Sequence, residues 1–277
     1  MLRGVGVRFR SNDVLRSLGF PEVRLALQRE WSLPLARPAL TSEAPMSSPP
    51  TPGPGTSRAV VRRFTQFVER RVPPAAAAWF AARGAAARSR QEFGELFTLT
   101  ARKLGKAKLT LAREEVDQLA ASGVTWPIGH WGLDELGRIT VLLEASALAP
   151  DELLTLVTEC YYAGETRERQ AVLKALAFLP EPQRFVDLAV DAGRTSILPI
   201  FEAIACENPY PALHFPELNF NQMVLKAVFV GLPLERIVGL EQRLTAELSR
   251  MALDYASERR AAGRPVPEDL SRLIVAS

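Results

Sequence analysis

Three polar side chains, Asn221, Gln222 and Lys226, stand inside an otherwise apolar helical stretch near the C-terminal end of the chain. The pattern predicts a helix that begins at Asn219, with Gln222 completing a capping box, and ends at Gly231 ahead of a proline. On a helical wheel the three polar residues share one side. A helix this apolar is normally buried, and a buried amide without a partner costs about 1–3 kcal/mol. Two interpretations follow: a capping box with a lysine that reaches solvent, or a site that binds a polar ligand.

Two carboxylates, Asp254 and Glu258, lie four residues apart on the next predicted helix, which begins at Thr245 and ends at Gly263. That spacing places both on one helix face. They are candidates for pairing with nearby cations, and also for acid–base chemistry, which requires pKa values separated by burial. We expect Asp254 to be solvated and Glu258 to be paired, with Lys226 or Arg243 as the candidate partner.

Histidine and cysteine are too sparse for a usual metal or nucleophile site. His130 and His214 are the two histidines, and a proline interrupts the short spacing between His214 and Glu217. Cys160 and Cys206 lie far apart in predicted helices, which indicates buried reduced thiols rather than a disulfide framework. The sequence therefore predicts no catalytic residue, no metal and no cofactor.

The composition is that of a globular chain. It has 277 residues, 47% of them hydrophobic, and a formal net charge of +3. No basic and aromatic patch of the kind that follows phosphates is visible, so a nucleic-acid partner is not expected. No apolar run reaches 18 residues and no signal peptide is recognisable, so we expect a cytoplasmic protein that does not span the membrane.

The chain divides into an N-terminal arm and a helical body. Residues 1–57 are expected to be disordered or dispensable, because residues 41–57 form a linker rich in Pro, Ser and Gly. Met46 within this linker is an alternative start. Residues 58–277 are expected to form one all-helical domain, with Ser57 as the N-cap of its first helix.

The body contains a weak internal repeat. Predicted helices lie near residues 151–163, 166–179, 182–192 and 196–206, and the predicted core of the earlier helices includes Phe93, Leu96, Phe97 and Leu99. Residues 163–177 resemble residues 192–205, at an offset of 28 or 29 positions. Paired helices at such a period are typical of solenoids. The predicted fold is all-α, a HEAT-like α-solenoid of stacked antiparallel helix pairs.

A family resemblance rests on several segments of the C-terminal half. They are Arg194 ahead of Phe201–Ala205, then Asn208–Ala212, His214–Phe215, Asn221–Ala227, Gly239–Leu240 with Arg243, and Glu258–Arg259 with Ala261–Arg264. Together they resemble the EboA family of bacterial metabolite-traffic proteins, over roughly residues 60–275. The chain departs from the family pattern at Phe220, where tryptophan is usual, and at Ser257 and Arg260, which stand in a segment that usually reads HERW.

The resemblance implies a helical, cytoplasmic protein, or one peripheral to the inner membrane, that moves a secondary-metabolite precursor. The implied partners are operon-encoded proteins, namely a prenyltransferase-like membrane protein and barrel enzymes, together with a small metabolite. The residues implied in ligand or partner binding are Arg194, Glu202, Asn208, Tyr210, His214, Asn221, Gln222, Lys226, Arg243, Glu258 and Arg259. We therefore expect a non-catalytic adaptor or carrier. The alternative is an enzyme or small-molecule-modifying protein that uses a polar cluster of Asn221, Lys226 and Glu258.

Overall fold

The structure is a computed structural model and describes residues 54–83 and 89–274. Residues 1–53, which make up most of the predicted arm, lie outside the described residues. Throughout the described ranges the regular structure is helical, and a single isolated bridge joins Lys108 to Gly132. The all-α prediction is confirmed.

Twelve α-helices, labelled in chain order, make up the described body. They are α1 (Pro54–Glu69), α2 (Pro74–Ala81), α3 (Arg90–Leu104), α4 (Arg113–Ala120), α5 (Leu133–Glu144), α6 (Pro150–Ala163), α7 (Thr166–Ala175), α8 (Val186–Arg194), α9 (Leu198–Ala205), α10 (Tyr210–His214), α11 (Glu217–Val230) and α12 (Ala246–Ala261). Short 3-10 turns follow several of them, at Ala145–Ala147, Leu176–Phe178, Pro182–Phe185, Leu234–Arg236, Glu241–Arg243 and Glu268–Leu273.

The core is organised around α5, whose residues from Leu133 to Leu143 are all buried. Helices α1, α3 and α7 pack against it, and α7 in turn packs against α6 and α9. Helix α9 also contacts α8, α10 and α11. The candidate functional region lies along the series of neighbouring helices α5, α7, α9 and α11. The finer HEAT-like arrangement stays a prediction.

Several predicted boundaries need correction. Helix α1 begins at Pro54, so Ser57 is inside its first turn and is not the N-cap. Proline suits a first helical turn because its fixed φ matches the helix and its missing N–H would have no partner there. Leu99 is exposed on α3, whereas Phe93, Leu96 and Phe97 are buried as predicted.

Among the described residues, none of the helices combines the length and the apolar character that crossing a bilayer requires.

Candidate functional site

Helix α11 begins three residues earlier than predicted, because its N-cap is Pro216 and not Asn219. Pro216 has extended backbone angles and precedes the first helical residue, Glu217, so Asn219 lies within the first turn and the predicted capping box is wrong. The predicted end is confirmed: Gly231 adopts a left-handed φ of 78°, and the Leu232 N–H donates to the Ala227 carbonyl at 2.9 Å.

The polar residues of α11 do not form a single strip. Asn221 is 1% exposed, whereas Gln222 and Lys226 are partly exposed. Five residues separate Asn221 from Lys226, which at 3.6 residues per turn rotates their side chains by about 140° from each other. Asn221 therefore points into the core, and Lys226 lies on another side of the helix.

Lys226 binds main-chain carbonyls at the C-terminal end of α8. Its Nζ donates to the carbonyl of Gly193 at 2.9 Å and to that of Thr195 at 2.5 Å, and it lies 4.3 Å from the centre of the Phe201 ring. The last carbonyls of a helix lack intrahelical partners and carry partial negative charge, so a cation is stabilised there. Burial lowers the pKa of Lys226 to about 8.

Arg243 likewise donates to main-chain carbonyls, at the C-terminal end of α10. Its Nη1 donates to the Ala212 carbonyl at 2.6 Å and its Nη2 to the Phe215 carbonyl at 2.9 Å. The guanidinium lies 4.6 Å from the Phe220 ring centre, and burial lowers its pKa. Both cations near α11 thus hold helix ends through their hydrogen bonds to the main chain.

The predicted partners of these cations lie elsewhere. Glu258 is exposed and forms no ion pair within residues 54–83 and 89–274, so its predicted pairing with Lys226 or Arg243 is wrong. Asp254 is exposed but accepts a hydrogen bond from Arg250 at 2.6 Å, one helical turn away. The predicted start of α12 is confirmed, because the Thr245 hydroxyl accepts from the Leu248 N–H at 3.2 Å.

The turn before α10 is tied down by Asn208 and Tyr210. The Asn208 amide donates to the carbonyls of Leu173 and Ala203 at 3.1 and 3.0 Å, and its oxygen accepts from the Tyr210 N–H at 3.0 Å. The Tyr210 hydroxyl donates to the Pro182 carbonyl at 2.5 Å, and burial raises its pKa. These two predicted site residues join α7, α9 and α10.

Two side chains of this region have buried polar atoms without a hydrogen-bond partner among the described residues. They are the Asn221 amide, at both its nitrogen and its oxygen, and the Nε2 atom of His214. Burial lowers the pKa of His214, and its ring lies 4.8 Å from that of Tyr210. Both polar groups therefore retain hydrogen-bonding capacity.

Glu202 belongs to an ion-pair group beside α9. It pairs with Arg236 at 2.7 Å, and Arg236 also donates to both oxygens of Glu207, at 2.6 and 2.9 Å. Glu207 has a φ of 45°, in the left-handed region, and its N–H donates to the Arg236 carbonyl at 2.8 Å. His130 lies 3.8 Å from Glu207, and its pKa is lowered chiefly by burial and then by the charge of Lys174.

A buried ionic network between α5 and α7 was not anticipated from the sequence. Asp134, fully buried, accepts from Arg167 at 2.6 and 2.8 Å and from Arg138 at 3.2 Å. Arg138 also donates to Glu168 at 3.3 Å. Burial lowers the pKa of Arg138, while the hydrogen bonds that Arg167 donates to Asp134 raise the pKa of Arg167.

The network extends towards the ion pairs beside α9 through Glu135 and Lys174. The Lys174 ammonium donates to Glu135 at 2.6 Å, and Glu135 also accepts the N–H of Gly132 at 2.7 Å. A Cβ atom on Gly132 would lie 2.5 Å from an Asp134 oxygen and 2.6 Å from Arg167 Nη2, so the glycine makes room for these groups. Charged residues at 134, 135 and 138 inside an apolar segment were the signal available in the sequence.

The other predicted site residues are on the surface. Arg194 ends α8 and is exposed, and Arg259 donates to the Pro265 carbonyl at 3.0 and 2.9 Å. Cys160 and Cys206 are free thiols, and burial raises the pKa of each to about 12. Within the described ranges no group of three or more His, Cys, Asp or Glu residues is placed to hold a metal ion.

Comparison with known proteins gives one family. A family model described as "Metabolite traffic protein EboA" matches residues 60–275. No curated protein and no solved structure matches the chain significantly.

Proposed function

The chain belongs to the EboA family of metabolite-traffic proteins, and on that basis we propose that it is a non-catalytic adaptor or carrier that moves a secondary-metabolite precursor. It works in the cytoplasm, or at the inner membrane as a peripheral protein. Its partners are the operon-encoded prenyltransferase-like membrane protein and barrel enzymes, which make and export the compound.

One observation supports the adaptor function above the others: Lys226 and Arg243, two of the residues expected to bind a ligand or partner, are bound to the main chain. Lys226 and Arg243 each donate to two carbonyls at a helix end, and neither forms an ion pair with a carboxylate among the described residues. Cations held in this way fix the geometry of α8, α10 and α11. They also keep positive charge next to the surface of α11, where a partner can reach it.

The enzymatic alternative is favoured by the pKa of Lys226. A lysine with a pKa near 8 is partly neutral at neutral pH and is the kind of amine that forms Schiff bases. The proposed cluster is not assembled, however, because Asn221 faces the core and Glu258 is exposed without an ion pair in the described part of the chain. We therefore keep the adaptor as the proposed function.

We also propose the HEAT-like stacking of helix pairs. The support is that α5, α7 and α9 are successive neighbours, while α6 packs on α7 and α8 packs on α9. In a solenoid each pair contacts only its neighbours, so terminal pairs should exchange their amide hydrogens before inner pairs. A closed bundle would show no such order of exchange from the terminal pairs to the inner pairs.

A strain without the gene separates the two functions. If the protein moves a metabolite without changing it, the deletion strain keeps the same compound inside the cell and exports less of it. If the protein is an enzyme, a chemically different precursor accumulates and the exported compound is not made. Mass spectrometry of cell extract and medium, with the wild-type gene returned on a plasmid as control, measures both.

A further inference from the structure

Helix α11 carries a row of apolar side chains on its outer side. Leu218, Leu225 and Phe229 stand at positions i, i+7 and i+11, which lie within about 40° of one another on the helix. Leu218 and Phe229 are each 54% exposed, and Leu225 is partly buried. We call these three residues the α11 stripe; it is about 17 Å long at 1.5 Å per residue.

The end of the loop between α8 and α9 and the first residue of α9 extend the apolar surface. Ile197 and Leu198 are exposed, and they precede Phe201 by four and three residues. The Phe201 ring lies beneath the ammonium of Lys226. Lys226 is thus flanked by the loop on one side and, one helical turn along α11, by Phe229 on the other.

Positive charge without an acidic partner accompanies these apolar groups. Lys226 has three N–H donors and uses two on carbonyls of the α8 end. Arg194, the last residue of α8, is exposed and forms no ion pair with the described residues. The surface therefore presents two cations beside a straight apolar row.

We propose that this surface binds an amphipathic helix of a partner protein, an inference that rests on the adaptor function. The partner places apolar side chains at helical spacing along the α11 stripe, because a straight row of this length matches anchors at i, i+3 or i+4, and i+7. It places an aspartate or glutamate against Lys226 and Arg194. A carboxylate there supplies the charge that the chain itself does not provide.

Other occupants fit the charge less well. Residues 1–45 contain seven arginines and four acidic residues, so the chain's own arm would add positive charge to a positive surface. A second copy in a two-fold contact would bring the same positively charged surface against this one. An anionic membrane is typically bound through clusters of about four to eight lysines and arginines, and this surface has two.

Photo-crosslinking in the cells that make the protein identifies the occupant. The full chain carries Phe229→p-benzoylphenylalanine, an aromatic replacement at an exposed position, and Val116→p-benzoylphenylalanine on α4 serves as the matched exposed control. Mass spectrometry reads the peptide attached at position 229. We expect a peptide of another protein with apolar residues at helical spacing and a carboxylate among them. A peptide of this chain, a lipid adduct, or labelling no stronger than at position 116 overturns the proposal.

A second measurement tests the charge. A synthetic copy of the captured segment is titrated into the purified full chain. We expect Arg194→Glu to weaken binding by about ten-fold at low salt, and a peptide with its acid changed to lysine to recover that loss. Arg62→Glu, at an exposed position on α1, is the control and should bind like the wild type. Equal affinity of the wild type and Arg194→Glu contradicts the proposed carboxylate contact.

The two proposals fail separately. If the crosslink at position 229 is not to a partner helix while the deletion strain still retains an unaltered metabolite, the docking surface is wrong and the adaptor function stands. If a different precursor accumulates in the deletion strain, the adaptor function is wrong whatever is captured.

Discussion

Replacing Lys226 by methionine tests whether main-chain carbonyls or a buried carboxylate bind its ammonium group. Lys226→Met keeps the volume of the side chain over Phe201 and removes the charge. Within the described residues the ammonium donates to the carbonyls of Gly193 and Thr195 and forms no ion pair, so the substitution leaves no buried carboxylate alone.

The magnitude follows from two opposed effects. Hydrogen bonds from a charged donor contribute about 1.5–3 kcal/mol, and the variant loses them. Burial lowers the lysine pKa from 10.5 to about 8, which at face value is a penalty of about 3 kcal/mol on the charged form. Since the side chain is partly exposed, solvent screening reduces this to about 1–2 kcal/mol. We expect a net loss of about 1 kcal/mol at pH 7.

The pH dependence has a definite sign. The pKa in the folded state is lower than in the unfolded state, so between pH 8 and 10.5 the unfolded chain binds more protons at this site. Wild-type stability relative to Lys226→Met should therefore rise over that window, by about 1–2 kcal/mol. Using the difference between the two proteins cancels the titration of the thiols and tyrosines.

Urea unfolding followed by circular dichroism at pH 7, 8, 9 and 10.5 measures this. A loss of 3–5 kcal/mol at pH 7 that Glu258→Gln rescues would refute the reasoning, because that is the result for an uncompensated buried carboxylate. A difference that does not change from pH 8 to 10.5 would refute the lowered pKa.

Three further predictions concern the core. Arg138→Gln leaves the carboxylates of Asp134 and Glu168 without this cation, and we expect the free energy of unfolding, measured in urea, to fall by about 3–5 kcal/mol. A fall of less than about 1 kcal/mol would show that water reaches the network and screens its charges. Gly132→Ala should destabilise the protein, because the added Cβ would lie 2.5 Å from an Asp134 oxygen and 2.6 Å from Arg167 Nη2. Gly94→Ala, at a position inside α3 where a Cβ would meet no atom within 4 Å, should stabilise it by up to about 1 kcal/mol. Equal effects of the two substitutions in thermal melts would contradict the crowding at Gly132. The two cysteine thiols, with pKa values near 12, should react with a disulfide reagent at pH 8 much more slowly in the folded than in the unfolded protein, and equal rates would show that they are accessible.

Helix ends with a special residue were predictable from the sequence. The left-handed glycine at Gly231 and the hydroxyl cap at Thr245 act within a few residues, so their effect is visible in the local pattern. The start of α11 was missed because Pro216 fixes the extended backbone before the helix. The Asn219–Gln222 pattern has the form of a capping box but lies one turn too late.

The partners of the charged side chains could not be read from residue types. Lys226 binds carbonyls 33 and 31 residues away along the chain, and a main-chain carbonyl is present at every position. The ionic network has the same difficulty, since Lys174 and Glu135 are 39 residues apart and each alone resembles a solvated surface charge. The fold class depends on periodicity and is predictable, whereas these pairings depend on which helices meet.

The most direct test of the adaptor function, and of Lys226 as part of its partner surface, is metabolite export in a deletion strain that carries Lys226→Met. The amount of the variant protein is measured alongside, to show that it folds. We predict near-normal protein, export reduced to the level of the deletion strain, and the same unaltered compound retained in the cell. Full export with a stable variant would contradict the role of Lys226, and accumulation of a chemically different precursor would contradict the adaptor function itself.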